Sequence, residues 1–426
     1  MSVDAAADRN ARAPIWAIVL SRVLTGLATV RSLGVAGVPV HVVFFDRADP
    51  VRLSRYATRC TYFDETHGAP EDLLNLIENI ALNIGERPAL LATSDRDILL
   101  IAAQAKRLEL VMRIWGNSWT CLQSVVGKPG LRALTESCGL PRIPGCSSVR
   151  IEDYERWLAD EAGPYILKLE RDAAVPGLLS KRNIVCKDPA AVLEWLGNNP
   201  GNAVVQRVIQ GGDGYIFDAY GLTGRDGRLI CFASHRRWRQ LPAHFGTTTF
   251  GEIPLRGMGD VEQKMFEYTS RLLDNADYHG IFGIEWLFDR EDGELYLIDF
   301  NARPFLSIGH LTDSGLNLPY LGYLELLERL PEGLPIRPEL RHCFWVDLVR
   351  DLDAVESRGF MAILDRTRRL AQALTCTSHA YASFDDPLPA IGRAWQTLRR
   401  FGFLGWRSIR RIFRRRESAR GRADSA

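Results

Sequence analysis

The chain has no Cys-x-x-Cys pair; its eight cysteines, Cys60, Cys121, Cys138, Cys146, Cys186, Cys231, Cys343 and Cys376, are scattered. That scatter argues against a zinc module and a disulfide framework, and it fits thiols kept reduced in a cytosol. No apolar run reaches the ~18 residues needed to span a bilayer. The N-terminus, with Asp4, Asp8 and Arg9 ahead of a short apolar run, does not read as a signal peptide. The first strand-to-helix turn holds Ser21 and Gly26 but no G-x-G-x-x-G, which counts against a dinucleotide site. Neither an internal repeat nor a convincing Ser or Cys nucleophile triad is present.

What is there is ordinary globular material: 426 residues, 46% hydrophobic and 25% charged. That length suits two or three domains. The net charge of +1 hides an asymmetry. Residues 391–426 hold 11 Arg against Glu417 and Asp424, a local +9, so the remaining 390 residues carry −8.

Ile15–Leu20 reads as a buried strand, followed by a helix-length segment to Ala36, a strand over 38–45 and a helix over 72–83. A further strand follows at 89–92. Strands and helices alternating at this spacing predict a parallel α/β sheet. Thr93-Ser94-Asp95 ends the last of these strands, where open α/β sheets bind ligands, although helix capping also explains Ser or Asp there. Beyond Ser118 the pattern changes to short strands at 165–169, 183–186, 203–209, 215–220 and 229–234, with a turn at 177–181. His235-Arg236-Arg237-Trp238-Arg239 follows, readable as a charged edge. Residues 241–252, with Gly246 and Thr247-Thr248-Thr249, look like a mobile lid.

The densest chemistry lies in Phe282–Asp289 and Leu295–Pro304, two strand-like runs around the Asp292-Gly293 turn, a β-hairpin pattern. Asp299 and Asn301 are two residues apart, so both project from one face, and Glu285 on the partner strand can reach it. A solvent-facing hairpin explains Asp292 and Glu294 but not Asp299 and Asn301, which interrupt an apolar strand where a buried carboxylate needs a partner. Two carboxylates and an amide oxygen form a hard-oxygen set suited to Mg²⁺ with a nucleotide's phosphates. Arg303 sets a cation beside them.

In their order, Lys128 with Gly139-Leu140-Pro141, Ile166-Leu167-Lys168, Val205-Gln206-Arg207-Val208-Ile209-x-Gly211, and Glu285 with Ile298-Asp299-Phe300-Asn301-Ala302-Arg303 resemble the ATP-grasp superfamily. The resemblance covers roughly residues 15–330 and is closest to carboxylate–amine ligases of the D-aspartate ligase type and to carbamoyl-phosphate-synthase-like proteins. It implies a mixed α/β and α+β chain. A parallel α/β domain over 1–120 would precede a two-lobed ATP-grasp domain over 121–330 (lobes 121–203 and 204–330), and 331–426 would be an extension with a helical basic tail. It also implies that Lys128 and Lys168 contact nucleotide phosphates. Gln206 would meet the adenine edge with the backbone of Arg207 and Ile209, and Asp213 would take the ribose hydroxyls, although its Gly-rich surroundings also suit a plain turn. Glu285, Asp299 and Asn301 would hold Mg²⁺ (or Mn²⁺), Arg303 would hold substrate or the transferring phosphate, and Arg236 or Arg239 would face the triphosphate. Gln206 stands where an acid is commoner, Asp299 where Glu is usual, and the loop around Gly177 has few glycines.

The implied chemistry is ATP-dependent activation of a carboxylate as an acyl phosphate, then attack by an amine, work that needs positioning and charge neutralisation. A carbamoyl-phosphate-type enzyme and a non-catalytic ATP-binding regulator are the alternatives. In the tail, Trp395, Leu398, Trp406, Ile409 and Phe413 recur between arginines, a basic amphipathic pattern that suits an anionic membrane surface or a helix docked on the acidic body. The expected location is cytoplasmic, with the inner membrane face as a peripheral site. No recognition module for nucleic acid accompanies the charge.

Overall fold

The structure is a computed structural model and describes residues 14–148, 150–169, 183–199, 203–209, 212–243 and 246–399, with the side chains of Lys168, Leu169 and Asn183 outside that set. Near the N-terminus come β1 (Ala17–Ser21), α1 (Val23–Val35), β2 (Val40–Phe44), β3 (Ala57–Tyr62), α2 (Pro70–Ile84), β4 (Ala89–Ala92), α3 (Asp95–Ala103) and α4 (Ala105–Leu108). The four strands form a parallel sheet ordered β3-β2-β1-β4. Every residue of β1, β2 and β4 is buried, as expected for parallel strands covered on both faces. β3, with its polar Thr58-Arg59-Cys60-Thr61, was not read from the sequence; it is an edge strand, and its outward residues break the apolar pattern.

Next come α5 (Trp119–Val126) and α6 (Lys128–Ser137), then a small sheet lobe. The lobe comprises β5 (Gly145–Cys146), α7 (Ile151–Asp160), β6 (Tyr165–Leu169), β7 (Asn183–Cys186), α8 (Pro189–Asn198) and β8 (Ala203–Arg207). Its strands are antiparallel, in the order β5-β8-β6-β7. The turn expected over 177–181 lies outside the described residues.

The largest sheet uses β9 (Ile216–Thr223), β10 (Leu229–Leu241), β11 (Thr247–Ile253), then after α9 (Gly259–Ala276) the hairpin β12 (Gly280–Phe288) and β13 (Leu295–Asn301). α10 (Ile308–Ser314) and α11 (Leu318–Leu326) lead to β14 (Cys343–Val346), α12 (Leu348–Asp353), α13 (Gly359–Thr375) and β15 (Ser378–His379). A last helix, α14, covers 388–399. The strand order is β13-β12-β9-β10-β11-β14-β15, so residues beyond 330 add two strands to this sheet. One face, with Phe217, Ala219, Ile284, Trp286 and Phe300, packs on α5, α6 and α9. The other carries Tyr220, Leu222 and Ile281 against α10 and α11. Among the described residues no helix is long and apolar enough to cross a membrane.

The segment read as a lid is corrected here. Residues 247–253 are a strand inside the sheet, paired with β10 on one side and β14 on the other, and buried from Thr248 onward. Its threonines are β-branched and suit a strand. Gly251 is small because the His235 ring lies above it; a Cβ there would sit 2.2 Å from His235 Nε2.

Candidate functional site

Strand register builds the site. Asp299 pairs with Glu285, Glu285 with Asp218, and Asp218 with His235, so these four side chains form one row across β13, β12, β9 and β10. Residues two further along a strand share that face. Asn301 on β13, Tyr220 on β9 and Arg237 on β10 therefore join it.

Arg237 is the hub. It is 6% exposed, and its Nη2 lies 2.7 Å from Glu285 Oε1. It also holds Asp218 through Nε at 2.9 Å and through a second contact from Nη2. His235 Nδ1 bonds Asp218 Oδ2 at 2.6 Å, and the Tyr220 hydroxyl reaches the same oxygen at 3.1 Å and Ser307 Oγ at 2.9 Å. Burial would push the Asp218 carboxyl up, but Arg237 and His235 hold it down to about 2. Burial pushes the Glu285 carboxyl above its ordinary range; Arg237 opposes this, while the charges of Asp299 and Asp218 add to it.

Around the outer end of the row, Lys128 at the start of α6 donates to Asp299 Oδ1 at 2.7 Å and to Ile298 O at 2.9 Å. Asn301 donates to Glu285 Oε1 at 3.2 Å and accepts from Arg303 at 2.9 Å. Arg303 Nε in turn reaches Asp95 Oδ1, at the N-terminus of α3, at 2.9 Å. Ser94 caps that helix, as its sequence suggests, and leaves Asp95 directed at Arg303. The N-terminal sheet edge thus faces the hairpin.

In the small lobe, Gln206 sits on β8, and its Oε1 is buried with no hydrogen-bond partner among the described residues. A buried amide oxygen without a partner is costly. It is the acceptor that an exocyclic amino group of a purine would satisfy. Ile209, 7% exposed, lies three residues on. Arg207 lies 3.7 Å from Glu161 and 3.8 Å from Asp289. Asp213 accepts from Gln240 at 3.0 Å. Lys168 pairs with Asn183 and Val204 on β6, and its side chain falls outside the described set.

The 235–239 run is not a solvated edge; it lies within β10, with His235 fully buried. Its arginines diverge. Arg236 faces away from the row, stacks 3.7 Å over Trp238 and donates to Gly214 O. Arg239, beyond a bulge at 237–239, makes a two-pronged pair at 2.8 and 2.7 Å with buried Asp351. The arginine of this run that pairs with Glu285 is Arg237. Sequence reasoning missed Arg237 and Asp218. Asp218 interrupts Ile216-Phe217-x-Ala219-Tyr220, the same signal that singled out Asp299.

Does this donor set fit a divalent cation? Among the described residues no three His, Cys, Asp or Glu side chains gather as a metal-binding group. A cation here would rest on Glu285, Asp299 and the Asn301 amide oxygen. All three are hard oxygen donors on one face, and the raised Glu285 carboxyl is what an added positive charge would relieve. The set fits.

No family model matches the chain, and no curated protein matches it. Solved structures do. The biotin carboxylase domain of Hydrogenobacter thermophilus 2-oxoglutarate carboxylase, with MgADP, ADP and bicarbonate, superposes with a TM-score of 0.60 at 13% identity, over 78% of this chain and 74% of that one. An L-amino acid ligase from Bacillus licheniformis gives 0.57 at 14%, over 76% and 78%. N5-carboxyaminoimidazole synthetase from Staphylococcus aureus gives 0.57 at 13%, over 80% and 84%. The chain has the ATP-grasp fold.

Proposed function

We propose that the protein is an ATP-dependent ligase that activates a carboxylate as an acyl phosphate and joins it to an amine. The observation that carries this reading is the aligned Glu285–Asp299 pair with Asn301, ringed by Arg237, Lys128 and Arg303. Phosphoryl transfer asks for positioned cations and hard oxygens, and no nucleophilic side chain. Glu285, Asp299 and Asn301 would hold Mg²⁺, which supplies charge neutralisation at the phosphates. Lys128 and Lys168 would bind the phosphates and Gln206 the adenine edge, with Asp213 near the ribose. Arg303, the least enclosed of the paired guanidiniums at the mouth of the row, would receive the substrate carboxylate in exchange for Asp95. The neighbours' own substrates, bicarbonate and amino acids among them, support the class and leave this chain's pair of substrates to experiment.

The direct test is phosphate release from MgATP against a matrix of amino acids and small carboxylates. Release that needs both a carboxylate and an amine is expected. Release with bicarbonate alone would favour a carbamoyl-phosphate-type reaction, and ATP binding without turnover against every pair would favour a regulator.

Two nucleotide-binding variants follow from this reading. Lys168→Ala should raise the ATP Kd about tenfold, since it removes a point charge from the phosphates; a change within about twofold, typical of an exposed charge, would remove the residue from the site. Gln206→Leu should weaken ATP more than it weakens inorganic triphosphate, because only the base meets the amide.

A further inference from the structure

Nineteen large apolar side chains are exposed among the described residues, and ten of them fall between 360 and 398. Scattered exposed apolar residues are normal, but such a concentration marks an interaction surface. Its order is specific. On α13, Phe360, Ile363, Leu370 and Leu374 follow alternating steps of three and four, completed by Thr367, and all point outward. Ala362 and Ala373 are the buried residues of that helix, and Ala373 packs with Phe250 and Val346. On α14, Leu388, Ile391, Trp395 and Leu398 repeat the same steps, and each is more than half exposed.

Both helices are fixed in this inverted orientation. α13 is held by Arg369 and Gln372, which bond Asp351 and Arg239. Ahead of α14, buried Asp386 accepts from Arg31, Ser54 and the Arg55 amide. Gly392 on the inner face of α14 lies against Leu53, and Gln396 donates to Ala48 O. An ordinary surface helix turns its apolar stripe to the core; these two turn small and polar residues to the body and leave the stripe outside.

The charge beside the stripes is mainly basic. Exposed Arg358, Arg366 and Arg368 flank α13; Asp365 lies 3.8 Å from Arg368 and accepts from Ser357, Glu356 lies just ahead of the helix, and Arg369 is taken up by Asp351. On α14 Arg399 is exposed, while Arg393 turns inward over the Tyr381 ring, and the sequence after the helix carries nine more arginines against two acids. Paired copies of so basic a helix would set like charges side by side, which opposes self-association. We propose that α13 and α14 form a docking surface for an anionic lipid bilayer. The apolar stripes would enter the acyl boundary, and the arginines would meet the headgroups.

The test uses the full chain and vesicles of phosphatidylcholine with about 30% phosphatidylglycerol, compared with phosphatidylcholine alone. The protein should sediment with the anionic vesicles at low salt and partition at least about tenfold less at roughly 0.5 M salt, where exposed charges are screened. Ile391→Ser/Trp395→Ser/Leu398→Ser should lower partitioning at least about tenfold with an unchanged melting temperature, because all three side chains are exposed. Leu370→Ser/Leu374→Ser should lower it independently. Every arginine remains in these variants, so undiminished binding would mean that charge alone attracts the bilayer and the proposed surface is wrong. No binding to anionic vesicles at low salt would also overturn it. So would a concentration-dependent dimer that the same substitutions dissolve, since the stripes would then belong to a second copy. Lipid partitioning requires no ligase substrate, so failure here leaves the ligase reading untouched.

Discussion

Asp299→Asn and Asn301→Ala should each lower MgATP-dependent phosphate release at least 100-fold, about 2.7 kcal/mol of barrier, while the melting temperature stays near that of the parent. The geometry sets the size of this effect. Asp299 is opposite Glu285 in register, and its carboxylate is held by Lys128 from outside the sheet, so it is poised at the mouth of the row and is not part of the buried framework. Its side chain is 38% exposed, and stability should therefore depend little on it. Asparagine keeps the shape and removes the charge that a cation needs. Asn301→Ala removes the neutral donor and frees Arg303 from one of its two side-chain partners, Asp95 remaining. Titrating Mg²⁺ separates metal binding from chemistry: the half-saturating concentration should rise in both variants. Turnover unchanged in both, with the fold intact, would remove the metal assignment.

How much of this was readable in the chain differs residue by residue. The hairpin was legible because Asp299 and Asn301 break an apolar period-two pattern; the burial that this pattern implied for Asp299 does not hold, since its side chain is 38% exposed and paired with Lys128. Asp218 breaks the next strand in the same way, and only the absence of a neighbouring second polar residue made it look incidental. Arg237 was hidden for a different reason. Three arginines in five residues give no face until 229–241 is known to be one long strand whose bulge comes after Arg237. β11 was read as a loop because glycines flank its threonines, yet Gly251 is dictated by the His235 ring on another strand, a tertiary fact that local pattern does not carry. The Asp95–Arg303 link joins positions 208 apart in sequence; capping explained Asp95 locally, and nothing local could add the second role. The apolar run at 344–348 reads as a strand and 353–374 as helical, matching β14 and α13, whereas β15, two residues long, leaves no periodic trace.

Arg237→Met should destabilise the protein by about 3–5 kcal/mol, the cost of breaking a buried ion pair by removing one partner. Arg237 serves two carboxylates at once, fully buried Asp218 and partly shielded Glu285, and no other guanidinium or ammonium reaches Asp218 among the described residues. Methionine fills much of the volume and leaves both acids facing each other. The double variant Asp218→Asn/Arg237→Met should recover part of the loss, since it withdraws the stranded charge, whereas two independent sites would simply add. Acid titration supplies a second signature. Asp218 is held at about 2, below the ~3.9 of an unfolded aspartate. Its contribution is therefore complete above about pH 4 and disappears as the pH falls through about 2. The parent's urea midpoint should fall over that window, and the double variant, with no carboxyl at position 218, should lose that component of the fall. A loss below ~1 kcal/mol in the single Arg237→Met variant, the range of exposed pairs, would mean that water reaches the row and that Arg237 is not the hub of this site.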